Sequence, residues 1–361
     1  MKPKQILLLA ALLSCLGVWA TPNLTNISFP STVGKYHKFE VNFDLNQYLN
    51  PYDEEQINVW AEFISPSGKP FKAYGFYYED WQKVDDGAPD SDEILIPTGQ
   101  HGWKIRFSPN ETGEWALRVR ATDASGGATY PSTGEAHFTV TPTSEKGFIS
   151  LANSRYLKYD SGDPYIPIGD SYPWWLVSPW RANANGKEKG TNITKHYLDG
   201  MAANGFTYNR FEINFFEGLS LYGRDFVLQK TFFNYYNQHD AWQLDEIMEY
   251  AKARGISFLL VMFAHSTLGD DGGYRYLGPN DSDGIPDIIP ADNSKGLFVL
   301  GNSYGNWSVF NPYNLYQDVR YIPEAPDGIG PNTNPYDFFT NPASIKLQKK
   351  LFRYIVARWG Y

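Results

Sequence analysis

The residues best suited to chemistry sit on one short run, Tyr208-Asn209-Arg210-Phe211-Glu212-Ile213-Asn214. As a strand, its period of two puts Asn209, Phe211 and Ile213 on one face and Tyr208, Arg210, Glu212 and Asn214 on the other. Charge on an otherwise buried strand needs a partner, because an unpaired charge there is costly. Two readings stand. Arg210 pairs with Glu212, or bonds to a neighbouring strand, and serves packing alone; or Arg210 orients a catalytic carboxylate and keeps it ionised, since a nearby cation lowers a carboxyl pKa. His265, at the end of the next apolar run, stands at the same level, as a structural histidine or as a contact to a sugar hydroxyl or a carboxylate. Asp170 lies just before the pair Trp174-Trp175. Paired indoles beside a carboxylate suit a sugar ring, with stacking on one face and hydrogen bonds at the edge. They equally suit a buried wedge under a loop.

The stretch from Ser266 to Asn341 is far longer than an ordinary connection, which favours a functional loop. Within it, Asp281-Ser282-Asp283-Gly284-Ile285-Pro286-Asp287 places oxygen ligands at alternate positions around a turn glycine. Asp281, Asp283 and Asp287 are therefore candidate ligands for a structural calcium ion, with a solvated acidic loop as the alternative. No cofactor is otherwise required.

The elements that must position these residues fall into two groups. From residue 22 to 142, apolar residues alternate with polar ones (Phe39, Val41, Phe43; Ile57, Val59, Ala61, Phe63; Trp103, Ile105, Phe107; Trp115, Leu117, Val119), with turn clusters between them. This predicts an all-β Ig-like sandwich. From 143 to 361 the pattern becomes strand, helix, strand, helix, strand, helix. The strands are expected at Tyr165–Gly169, Phe206–Phe215 and Ile256–Phe263. The first two helices are expected at Thr191–Asn204 and around Leu244, Ile247, Met248 and Ala251. The last starts at Asn341-Pro342 and presents Leu347, Leu351, Ile355 and Arg358 on one face. Such a repeat implies a parallel sheet. The first three βα units of an incomplete (β/α)8 TIM barrel are the expectation, in which function sits at the C-terminal strand ends. An open doubly wound sheet is less suited, because Asp170-Ser171-Tyr172-Pro173 is no glycine-rich phosphate loop.

Residues 1–20 read as a signal peptide: Lys2 and Lys4, the apolar run Ile6–Leu13, and Val18-Trp19-Ala20 for cleavage. The expected location is secreted or periplasmic. The alternative is a lipid anchor at Cys15, the one cysteine of the chain. No segment is long and apolar enough for a transmembrane span. A net charge of −9 and a pI near 5.2 argue against nucleic acid as a partner. Aromatics make up 17% of the chain, with 11 Trp and 26 Tyr. At that density they usually fill cores, and in secreted proteins they also form platforms for sugar rings; a polysaccharide or oligosaccharide is the partner that the family resemblance given next implies.

Asn50-Pro51-Tyr52, Trp60-Ala61-Glu62-Phe63, Pro66-Ser67-Gly68, Gly75-Phe76-Tyr77, Trp103 through Pro109 and Thr112-Gly113-Glu114-Trp115 resemble the Ig-like domain of unknown function found ahead of bacterial glycoside hydrolase barrels. Gly147-Phe148, Arg155-Tyr156-Leu157 and Gly162-Asp163-Pro164 resemble its junction into the barrel. Asp337 to Thr340 and Arg353 to Tyr361 resemble the helix before the fourth strand of cellulase-like clan A glycosidases. The resemblance implies a retaining glycoside hydrolase whose acid/base and nucleophile are Glu residues on the fourth and seventh strands, about 5–5.5 Å apart. It matches Arg210 to the second-strand arginine of that clan, and His265 approximately to a third-strand position. No catalytic residue is then assigned in this chain, which is expected to be the N-terminal portion of the enzyme. Arg210, His265, Glu212 and Asn214 would be active-site support, and Asp170, Trp174 and Trp175 would bind substrate. A non-catalytic carbohydrate-binding surface protein is the alternative, and a lyase using Arg210 to neutralise a uronate is a third reading.

Overall fold

Alternation of large apolar and polar side chains builds the first part of the chain. In the computed structural model Phe39, Val41 and Phe43 on β3 (Phe39–Asp44) are buried while their neighbours are half-exposed. The same holds for Val59, Ala61 and Phe63 on β4 (Asn58–Ile64). The structure describes residues 21–89, 91–171, 190–213, 219, 221–225, 230–262, 274–279, 286–290 and 337–361, with backbone alone in the strands 222–225, 230–235, 274–279 and 286–290 and at 337, 338 and 343. Contacts divide the chain into two compact units. One holds residues up to Tyr77, Gly102–Glu145 and Val356–Tyr361; the other holds Tyr78–His101 and Lys146–Ile355.

The remaining strands of the first sheet are β1 (Thr25–Ser28), β2 (Thr32–Gly34), β5 (Pro70–Lys83), β6 (Leu95–Phe107), β7 (Gly113–Asp123), β8 (Gly126–Tyr130) and β9 (Ala136–Thr141). They form one nine-stranded sheet in the order β1-β3-β6-β5-β4-β7-β9-β2, with β8 added to β7. Four strands separate β3 from β9 in that order. In a flat sheet they would be about 24 Å apart. Instead the rings of Phe39 on β3 and Phe138 on β9 stack with centroids 3.9 Å apart. The sheet therefore curls until its two halves share one core, which Trp115, Ile105, Leu117 and Val119 fill. This is β-rich architecture of the kind the alternation predicts.

The second unit begins with a small antiparallel sheet of β10 (Ile149–Leu151), β11 (Leu157–Tyr159) and β12 (Pro164–Tyr165). The parallel sheet follows, in the order β13 (Gly169–Ser171), β14 (Tyr208–Glu212), β17 (Ser257–Val261). Helix α1 (Gly190–Ala203) lies between β13 and β14 in sequence, and α2 (Gln238–Lys252) between β14 and β17. Hairpins β15/β16 (Tyr222–Asp225, Lys230–Tyr236) and β18/β19 (Tyr274–Pro279, Pro286–Pro290) are inserted. A single turn, Asp337–Thr340, precedes α3 (Pro342–Trp359). The described strands thus make a three-stranded parallel sheet, not a closed barrel.

Boundaries follow local chemistry. The expected strand Tyr165–Gly169 is split: Tyr165 pairs antiparallel with Leu157, and only Gly169 onward pairs parallel with Tyr208. Pro167, with no N–H to give to a ladder, stands at the break. A Cβ at Gly169 would overlap the Tyr208 carbonyl, so only glycine allows this approach. Asn237 caps α2, its side chain accepting the Asp240 N–H. Asn341 does the same for α3, accepting the Ser344 N–H at 3.4 Å. Leu347, Leu351, Ile355 and Arg358 are all buried, as the spacing predicts.

Candidate functional site: the carboxyl ends of the parallel strands

Register decides which side chains can work together. Asp170 on β13 stands opposite Asn209 on β14, which stands opposite Phe258 on β17. Residues in register on paired strands share a face. Asn209 and Phe211 are fully buried, and Asn209 Nδ2 lies 3.5 Å from the Met201 sulfur of α1, so this face packs on helix. The Phe211 and Phe258 rings meet on it, centroids 5.3 Å apart. Among the described residues Asn209 Oδ1 has no partner.

The other face carries Ser171, Tyr208, Arg210, Glu212, Ser257, Leu259 and Val261 by the same register. Arg210 Nη1 and Glu212 Oε1 form an ion pair, with the guanidinium side chain 41% and the carboxylate side chain 16% exposed. Leu259 beside them is 50% exposed. The pair lies at the C-terminal end of the central strand, where open α/β sheets and barrels place their ligands.

Asp170 does not join that pair. Its Oδ2 accepts a hydrogen bond from the Tyr197 hydroxyl of α1 at 2.9 Å, and its Oδ1 accepts the Ser171 N–H at 2.8 Å. Burial, the bond to Asp170 and the charge of Asp170 together push the Tyr197 phenol up to about 12. Asp170 and Arg210 are thus on opposite faces of one sheet. His265, Asn214, Trp174, Trp175, Asp281 and Asp283 lie outside the described residues, as do residues 1–20 with Cys15; Asp287 falls on strand β19 rather than in a turn. Among the described residues no group of three or more His, Cys, Asp or Glu could hold a metal ion. No helix among them is long and apolar enough to cross a membrane.

A second polar cluster holds the start of α1. Tyr78–His101, the outer part of the β5–β6 hairpin, belongs to the same unit as α1 and α2. Glu93 Oε2 accepts the Thr191 N–H at 3.0 Å, and Glu93 also bonds the Thr191 hydroxyl and the Gln243 amide. Lys83 Nζ donates to Asn192 Oδ1 and lies 3.6 Å from Glu93 and 3.8 Å from Asp85. Burial pushes the Asp85 carboxyl up. The Ile94 and Gly87 N–H groups, Asn192 and Lys83 outweigh it, so the carboxyl sits below its ordinary value. Farther along, Glu79 N–H donates to Gln238 Oε1 at 3.3 Å, and the Trp81 ring meets His239 edge-on. The motif reading passed over Lys83, Asp85 and Glu93. The signal for them was weak: two acids flanking the turn-rich run Asp86-Gly87-Ala88-Pro89, far in sequence from their partners.

Residues 32–122 match the family model described as a domain of unknown function (DUF5060). No curated protein matches the chain. Among solved structures, the PKD domain of an M14-like peptidase from Thermoplasmatales archaeon SCGC AB-540-F20 is similar at 14% identity, over 34% of this chain and 98% of that one, with a TM-score of 0.20. A Bacteroides fragilis NCTC 9343 protein assigned as an alpha-galactosidase/melibiase is similar at 12% identity, over 67% of this chain and 37% of its own, with a TM-score of 0.18. A glycosyl hydrolase family 2 member from Bacteroides cellulosilyticus is similar at 9% identity, over 68% of this chain and 24% of its own, with a TM-score of 0.22. The chain thus spans well under half the length of those two glycosidase-like proteins. By name, these comparisons carry a likeness of residues 32–122 to the domain of unknown function DUF5060.

Proposed function

We propose that this chain is part of a secreted glycoside hydrolase that acts on a polysaccharide by a retaining mechanism. Its role is to bind the sugar chain and to position a carboxylate, with the acid/base and nucleophile Glu expected on the fourth and seventh strands of the enzyme. The observation that carries this reading is the position of Arg210, near the C-terminal end of the central parallel strand on the face turned away from Met201, with its side chain 41% exposed although it pairs with Glu212. A fixed cation there favours a nearby carboxylate in its ionised form. The same groups hydrogen-bond hydroxyls: Arg as a donor fork, Glu as an acceptor. Trp174, Trp175, His265 and Asn214 would extend that surface.

The test is affinity electrophoresis of the chain from residue 21 through a panel of polysaccharides, alongside a reducing-end assay. Retardation by at least one polysaccharide, weakened in Arg210→Met and without turnover, is the expected result. No retardation in any gel would remove the reading. Turnover that tracks the pure protein and disappears in Glu212→Gln would overturn the assignment of catalysis to other strands. Products absorbing in the near ultraviolet would favour a lyase.

A further inference from the structure

We propose a second carbohydrate site, for an acidic, uronate-bearing glycan, on the outer face of the nine-stranded sheet. It is built from Trp60, Tyr74 and Lys72. It does not rest on the reading of Arg210, which lies in the other unit.

The register lays out two rows across β5, β4 and β7. Tyr74, Trp60 and Arg120 form one row; Lys72, Glu62 and Arg118 form the next. Val59, Ala61 and Phe63 alternate with these residues on β4 and are buried, so the two rows face outward. Trp60 and Tyr74 are a directly opposed pair on this outer face. Two adjacent rings in such a place offer the flat, apolar surface on which the C–H face of a pyranose stacks.

The polar groups around the rings are not equivalent. Glu62 accepts from Trp60 Nε1 at 3.4 Å and from Arg120 Nε at 3.1 Å, which ties the indole in place. Arg118 donates to the Gly134 carbonyl at 2.8 Å and lies 3.9 Å from Glu135. Lys72 stands directly opposite Glu62, yet its ammonium is not paired with it. The ammonium lies over both rings, 4.8 Å from the Trp60 centroid and 4.9 Å from the Tyr74 centroid. Among the described residues no carboxylate is paired with Lys72. An exposed ammonium above an aromatic pair, on a chain whose net charge is −9, is a local exception to the charge balance. A sugar stacked on the rings would bring its ring substituents to that ammonium. A carboxylate there would form the charge-assisted hydrogen bond that Lys72 does not have with Glu62. A neutral sugar would displace the ammonium from the rings and give it only hydroxyls in return. The charge therefore selects an acidic sugar.

Fluorescently labelled oligogalacturonate, oligomannuronate and oligoglucuronate, with a neutral oligogalactan as comparator, would be titrated into the full chain and followed by polarisation. Binding to at least one uronate oligomer, about tenfold or more tighter than to the galactan, is the expected result. Lys72→Gln, an exposed change, is expected to remove most of that preference. Trp60→Ala should abolish the preference for the uronate oligomers over the galactan. Absence of binding to every uronate would overturn the proposal. So would equal affinity for the galactan, or a Lys72→Gln variant indistinguishable from the native chain. Far-ultraviolet circular dichroism of Trp60→Ala would separate lost stacking from lost fold, and Lys72→Gln decides the matter if that variant does not fold.

Discussion

Glu93 caps a helix from about one hundred residues away: its Oε2 accepts the backbone N–H of Thr191 at 3.0 Å, at the first turn of α1. The first N–H groups of a helix have no partner inside it, and an anion at that end also complements the helix dipole. Glu93 is the anion here, with its side chain only 2% exposed and Lys83 at 3.6 Å. Glu93→Ala removes the cap and the hydrogen-bond partner of Gln243, and leaves Lys83 without one of its carboxylates. A loss of about 2–4 kcal/mol is expected. Hydrogen exchange would localise it, with amides 190–194 exchanging faster in the variant while those of β4 and β7 keep their protection.

The two faces of the parallel sheet make opposite predictions for two charged residues. Asp170 accepts from Tyr197 against α1, whereas Arg210 pairs with Glu212 on the other face. Asp170→Asn is expected to cost under about 1 kcal/mol, since that hydrogen bond is exposed. It should leave polysaccharide retardation unchanged. It should also lower the pH at which the Tyr197 phenol ionises, now about 12, because an anionic acceptor is lost. Arg210→Met is expected to cost about 1–2 kcal/mol by leaving the mostly buried Glu212 carboxylate unpaired, and to weaken retardation. Absorbance titration and affinity electrophoresis of the two variants separate these outcomes.

Elements held by near neighbours were legible in the residues themselves. Leu198 and Met201, Leu244, Ile247 and Ala251, and Leu347, Leu351 and Ile355 are buried because helical spacing stacks them on one face. Phe39, Val41 and Phe43 are buried because a strand alternates. The Arg210–Glu212 pairing was one of the readings that the i, i+2 spacing allowed. The opposite orientation of Asp170 was not legible, because it depends on the β13–β14 register. That register in turn depends on where Pro167 ends one pairing and Gly169 begins the next. Nor was the cluster of Lys83, Asp85 and Glu93 legible. Its partners Thr191, Asn192 and Gln243 lie about one hundred or more positions away, and hydrogen bonds between polar side chains carry no periodicity. The tandem Trp174-Trp175 and the Asp281–Asp287 run, conspicuous as motifs, fall almost wholly outside the described residues.

The curl of the first sheet depends on aromatic contact across the core. Phe39 stacks on Phe138 at 3.9 Å and meets Phe63 edge-on at 6.1 Å between centroids. Phe39→Ala is expected to cost about 3–5 kcal/mol, from lost transfer free energy plus the cavity that remains. Phe39→Leu should cost clearly less. Urea unfolding followed by tryptophan fluorescence would report both, with Trp115 as a fully buried reporter in the same core.

The acid limb of stability should trace partly to Glu40. Its carboxylate bridges Lys104 at 3.0 Å and Arg106 at 2.8 Å. Burial pushes the carboxyl up, but the charges of Arg106 and Lys104 and their hydrogen bonds outweigh it. The net position is below the ordinary value of 4.5. A carboxyl with a depressed folded value binds protons more readily in the unfolded chain, so stability rises with pH across the interval between the two values. The contribution is complete above 4.5 and is lost as pH falls from there through the lowered folded value. Glu40→Gln should therefore be less stable than the native protein by about 1–2 kcal/mol at neutral pH. The gap should close on acidification, as the native Glu40 itself becomes protonated. Asp85, Glu111 and Asp123 are also held below their ordinary values, so an acid slope persists in the variant. The diagnostic quantity is the difference between the two urea midpoints as a function of pH. A difference that stays constant down to the acid limit would show that Glu40 acts through packing and not through its charge.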